Sequence, residues 1–176
     1  MRIFTALPLL LAAAFPAAAD VHRAGDWSAA LIGQTCYVYS NAAARDTSGS
    51  LIFSFDKKGY NASFHYEYAP YHNDSGKPWD ADDYAVIAAD GQESWLGDEV
   101  FLEAWEAAGE GHMTGGFVAD MVQLVANAQQ SVDFMVYRAA HSEEWLYGRF
   151  FPGGFSEALS HAASWCEFNP SALPSS

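Results

Sequence analysis

The chain has 176 residues, enough for one domain, and 51% of them are apolar, so a core is available and wholesale disorder is excluded. Eight basic residues against 22 acidic ones give a formal charge of −14, which argues against nucleic acid or an anionic membrane surface as partner. Twelve Phe, nine Tyr and six Trp suit strands better than a helical bundle.

Met1-Arg2 begins the chain, Ile3 to Phe15 is mostly apolar, and Ala17-Ala18-Ala19 places small residues before Asp20. That order predicts a secretory signal peptide over 1–19. The apolar run is too short for a membrane span, which needs about 20 residues. No Cys follows it to carry a lipid. The expected mature chain starts at Asp20 and has lost Arg2, which leaves seven basic residues against 22 acidic ones, or −15. A soluble protein, periplasmic or secreted and not inserted in a membrane, is the expectation.

Short runs rich in β-branched and aromatic residues then follow one another. Cys36–Tyr39 and Leu51–Phe55 are the first two, and Asp56-Lys57-Lys58-Gly59 reads as a hairpin turn. In the next run Tyr60, Ala62, Phe64, Tyr66 and Tyr68 alternate with Asn61, Ser63, His65 and Glu67, which predicts a strand with one apolar face. Tyr84–Ala88, Val100–Trp105, Val132–Arg138 and Trp145–Phe151 complete the strand-like runs. Gly, Asn, Asp and Pro punctuate them at the intervals of sandwiches and barrels.

Two stretches change period. Phe117, Met121, Leu124, Val125 and Ala128 recur at helical spacing, as do Phe155, Leu159, Ala162 and Cys166. The second helix starts at Gly154 or Ser156, with Glu157 in the first turn where the helix dipole favours an acid. From Asn169 onward, two prolines and three serines suggest a flexible tail, 169–176. The expected fold is mainly β: a single antiparallel β-sandwich-like domain over 20–168 with two short helices, the second C-terminal.

Cys36 and Cys166 are the only cysteines, and an even pair in an exported chain reads as a disulfide. A metal site is disfavoured, because neither has a second Cys or a His at a short ligand spacing. A catalytic thiol would lie idle in an oxidising compartment. The bridge would tie the first core strand to the last helix.

Asp26-Trp27, Cys36-Tyr37-Val38-Tyr39, Gly154-Phe155-Ser156-Glu157-Ala158-Leu159 and the closing Cys166 together form a pattern. The chain resembles in this the invasion-associated locus B family of alphaproteobacterial exported proteins. The resemblance spans roughly Asp26–Cys166, with its specific anchors at the two ends. It implies a small β-sandwich with a terminal helix, and it supplies no catalytic residue.

Searches for chemistry return little. The chain has no G-x-S-x-G elbow, H-E-x-x-H or Walker loop. Gly109-Glu110-Gly111 with Gly115-Gly116 misses the dinucleotide fingerprint and reads as a glycine turn. His65 and Glu67, with His72 beyond them, have the residue types for a divalent metal, but a solvated strand face is the simpler reading. Between Glu67 and Glu110, 12 carboxylates face one Lys77. A surface kept soluble by like charge accounts for them, while weak calcium binding at Asp80-Ala81-Asp82-Asp83 and a hidden acid–base pair are the sharper alternatives. Tyr71 and Trp79 flank a Pro/Gly-bearing loop and are candidate ligand contacts, able to stack on a sugar ring.

The sequence therefore predicts a non-catalytic exported protein acting through surface interactions. Its expected partner is a protein or a neutral glycan, and no cofactor is expected. A carbohydrate- or small-ligand-binding module using Tyr71 and Trp79 is the alternative, followed by a carboxylate-dependent hydrolase.

Overall fold

The computed structural model describes residues 19–43, 47–70, 82–96, 101–105, 108–114 and 116–174. Apart from Ala19, the expected signal peptide lies outside the described residues. The strands are β1 (Asp20–Ala24), β2 (Trp27–Ile32), β3 (Thr35–Asn41), β4 (Thr47–Phe55), β5 (Ser63–Pro70), β6 (Tyr84–Ala89), β7 (Gln92–Leu96), β8 (Phe101–Trp105), β9 (Ala108–Thr114), β10 (Val132–Arg138) and β11 (Glu143–Phe150). The helices are α1 (Gly116–Asn127) and α2 (Phe155–Cys166).

All pairings are antiparallel. Seven strands form one sheet in the order β1-β2-β3-β4-β5-β9-β8, and four form a second in the order β11-β10-β6-β7. The two sheets pack as a sandwich, as the strand-rich composition predicts. Period-two alternation decides which residues enter it. Cys36 and Val38 on β3, Leu51, Phe53 and Phe55 on β4, and Phe64 and Tyr66 on β5 are fully buried. Register aligns them in rows, with Val38 beside Phe53 and Phe53 beside Phe64.

Tyr66 carries this face across to the smaller sheet. Its ring stacks on Phe134 at 4.1 Å and meets Phe150 edge-on at 5.9 Å. Gly148 on β11 leaves room for the phenol, since a Cβ there would stand 2.9 Å from the Tyr66 hydroxyl oxygen. At β1–β3 the same sheet is covered instead by α2, whose Phe155 packs on Trp27 and Phe53.

Several sequence expectations need correction. Tyr60 is not on the buried face of β5: it is 56% exposed, because the turn runs on through Asn61 in a left-handed conformation. The stripe of α1 is Val118, Met121, Val122 and Val125, which leaves Phe117 half exposed. Gly109 and Gly111 are not in a turn but in β9, where register sets Tyr68 and Tyr66 of β5 opposite them. The ladder overrides glycine's weak strand preference. Apart from these corrections, Ser171 N–H donates to Asn169 Oδ1, and Leu173 is partly buried against the core. No helix among the described residues is long and apolar enough to cross a membrane.

Candidate functional site

The residues that carry chemistry and sequence pattern meet where β1, β2 and β3 receive α2. The helix is aimed there by its entry. Gly154 sits at φ 95°, and a Cβ at that position would collide with the Ala24 carbonyl. Asp26 N–H donates to the Gly153 carbonyl at 2.9 Å, and Trp27 Nε1 donates to the Phe151 carbonyl at 2.8 Å. Phe155 then meets the Trp27 ring edge-on, 4.7 Å between centroids. The buried face of α2 continues through Ala158, Leu159, Ala162, Ala163 and Cys166. Cys166 closes the disulfide to Cys36, 130 residues away, with 6.1 Å between their Cα atoms. Beside the bridge, Leu31, Gly33, Gln34, Lys57 and Trp165 line an open depression of about 310 Å³.

One turn from the buried face, α2 presents Glu157 and His161, four residues apart and so on one side of the helix. His22 on β1 faces them. Its Nε2 lies 3.0 Å from Glu157 Oε1, and its ring stacks on His161 with centroids 3.5 Å apart and planes at 19°. One ligand atom from each of the three residues lies within 4.8 Å of the others. His161 is also tilted against Trp165 at 5.8 Å. Sequence reasoning missed this cluster, because His22 and His161 come from opposite ends of the chain and only the fold joins them.

No family model matches the chain, and neither a curated protein nor a solved structure matches it.

The other sequence candidates separate. Tyr71, His72 and Trp79 lie outside the described residues. His65 Nε2 shares a hydrogen bond with Ser63 Oγ at 2.9 Å, and Glu67 is exposed. Backbone register sets His112 opposite His65 and Glu110 opposite Glu67.

Among the described acids between Glu67 and Glu110, Asp83 and Asp90 hold structure together. Asp83 is 1% exposed, places Oδ2 2.8 Å from Arg138 Nε, and accepts the Ala139 N–H at 2.9 Å. That commitment removes it from the solvated surface and from a calcium loop. Asp90 begins the Asp90–Gly91 turn in left-handed conformation and accepts backbone N–H groups from Gln129, Gln130 and Ser131. These bonds, the one from Gln129 foremost, hold its carboxyl below the usual aspartate range. A third acid, the buried Asp133, takes the Arg149 guanidinium in a two-pronged pair, both distances 2.7 Å, and raises the Arg149 pKa above its ordinary value.

Aromatics reach the surface at two further places. Tyr84, 36% exposed, stacks on Tyr137 at 4.9 Å across β6 and β10. Trp145 lies between Arg138 and His141, and its indole N–H donates to Glu143.

Proposed function

We propose that the chain is a non-catalytic exported protein, periplasmic or secreted, that acts through its surface in the manner the invasion-associated locus B resemblance implies. One observation carries the reading. The residues of the resemblance, Asp26-Trp27, Cys36, Gly154-Phe155 and Cys166, converge on a single joint, and each is used in assembling it. A pattern that specifies a scaffold leaves function to the exterior. The disulfide supports an oxidising compartment, since such bonds persist where thiols are not kept reduced. Asp83, Asp90 and Asp133 support the same reading, because each is bound to a structural partner.

The partner is a basic protein surface or a neutral glycan, for which the stacked Tyr84 and Tyr137 offer a flat aromatic face. A mature charge of −15 repels anionic headgroups. The test is co-sedimentation of the mature protein with anionic and neutral vesicles at low salt with chelator, alongside a glycan-binding screen of wild type and Tyr84→Ala. The expected result is protein left in the supernatant with both vesicle types. Strong binding to anionic vesicles under these conditions overturns the partner assignment. Two free thiols in denatured, unreduced protein taken from cells overturn the compartment.

A further inference from the structure

We propose that His22, Glu157 and His161 form a binding site for one divalent transition-metal ion of the zinc class. The proposal stands apart from the surface reading and does not depend on it. Two imidazoles and one carboxylate are a donor set suited to borderline ions, and three protein ligands of this type leave a coordination position for water or an outside group. The three residues come from two elements held together independently: β1 by its pairing with β2, and α2 by Phe155 and the disulfide. The ligand positions are therefore set by the fold rather than by a flexible loop.

The distances suit an ion. Zinc holds nitrogen and oxygen at about 2.0–2.2 Å in tetrahedral geometry, so two of its ligand atoms stand about 3.4 Å apart. His22 Nε2 and Glu157 Oε1 are already 3.0 Å apart, and the spread of the three atoms, within 4.8 Å, asks for a contraction of at most about 1.4 Å on an ion. Stacked rings set a second requirement. Planes only 19° apart with centroids 3.5 Å apart keep the lone pairs in two nearly parallel planes, so the imidazoles must splay for both to meet one ion. Glu157 is 63% exposed and His22 28% exposed, which leaves these two room to move toward the half-buried His161. Binding thus exchanges the ring stack and the His22–Glu157 hydrogen bond for metal bonds between the first strand and the last helix.

The acidic surface is the competing explanation for any metal uptake, and it is separable by ion. A carboxylate surface takes calcium as readily as zinc, whereas imidazole ligands select the transition metal. The experiment is calorimetric titration of the mature, disulfide-intact protein with Zn²⁺ and separately with Ca²⁺, on wild type, His22→Ala, Glu157→Gln and His161→Ala. Chemical shifts of the histidine ring protons are followed in the unsubstituted protein, so the answer does not depend on the variants folding.

The expected result is one zinc per chain, an affinity lost by about tenfold or more in each variant, and no displacement by calcium. His22 and His161 resonances shift together with zinc while the other four histidines stay fixed. Unchanged zinc affinity in the variants, displacement by equimolar calcium, or zinc-induced shifts confined to other histidines overturns the site. A purely structural role for the cluster predicts equal loss of thermal stability with and without zinc. The metal site predicts that zinc raises the unfolding temperature of wild type and not of Glu157→Gln.

Discussion

Trp27 donates its indole N–H to the main-chain carbonyl of Phe151, 2.8 Å away and 124 positions further along the chain. The donor belongs to a side chain only 1% exposed, so the indole N–H meets its hydrogen-bonding need inside the fold. Trp27→Phe keeps an aromatic ring and removes the donor. The expected loss is about 0.5–1.5 kcal/mol, the net worth of one hydrogen bond. Trp27→Ala also removes the ring under Phe155 and should cost about 3–5 kcal/mol. Urea unfolding measures both, and Trp27→Phe with wild-type stability would count against the bond.

Gly154 is a position where even one added carbon is not tolerated. Its backbone is left-handed, and a Cβ there would run into the Ala24 carbonyl, main chain that cannot rotate away. Gly154→Ala is expected to destabilise by at least about 2 kcal/mol, from strain and overlap together. Gly33→Ala is the control. It shares the positive φ but meets nothing within 4 Å, so it reports the conformational cost alone. A thermal shift no larger in Gly154→Ala than in Gly33→Ala would refute the collision.

The Cys36–Cys166 bridge spans 130 residues, and the chain-entropy model gives about 5 kcal/mol as an upper figure for its effect. Most of that acts on the unfolded chain. Cys36→Ala/Cys166→Ala should therefore keep the far-ultraviolet spectrum of the sandwich at low temperature and unfold at lower denaturant. The same shift on adding reductant to wild type, with no shift in the double variant, identifies the bridge as the cause.

Asp90 makes stability depend on pH in one direction. Its three backbone donors are in reach only in the folded state, so the folded carboxyl titrates below its unfolded value of about 3.9. The contribution is complete above that unfolded value and is lost as pH falls through the lower, folded one. Asp90→Asn keeps a residue that tolerates the left-handed backbone and cannot ionise. It should be less stable than wild type at neutral pH, with a gap that is constant down to about pH 5 and narrows below about pH 4. Unfolding curves across that range check it, and a gap independent of pH would exclude the carboxylate.

Alternation exposed much of the sandwich to sequence reading, because Leu51, Phe53 and Phe55 or Phe64 and Tyr66 can share a face only in an extended chain. The disulfide followed from parity and compartment, and the stripe of α2 from Phe155, Leu159, Ala162 and Cys166. The strands that escaped notice lack that signal. β9 is rich in glycine and polar groups and exists through its neighbours, and β1 is mostly exposed along its length. β7 could have been found from Asp90–Gly91, a dipeptide suited to the tight turn between β6 and β7. Phe117 satisfied the helical period yet fell outside the stripe, since a period fixes spacing but not phase. The charged pairs Asp83–Arg138 and Asp133–Arg149, like His22 with His161, join residues whose distance in sequence carries no information about their distance in space.

The bond between Cys36 and Cys166 also makes the polypeptide between them a covalent ring. A protease that cuts once inside that ring opens it without releasing a piece. The nicked molecule keeps its mass and, where the sheets hold, its shape, and it migrates as one band until the sulfurs are reduced. Shedding any segment inside the ring takes two cuts, so the chain can be nicked there once and stay whole.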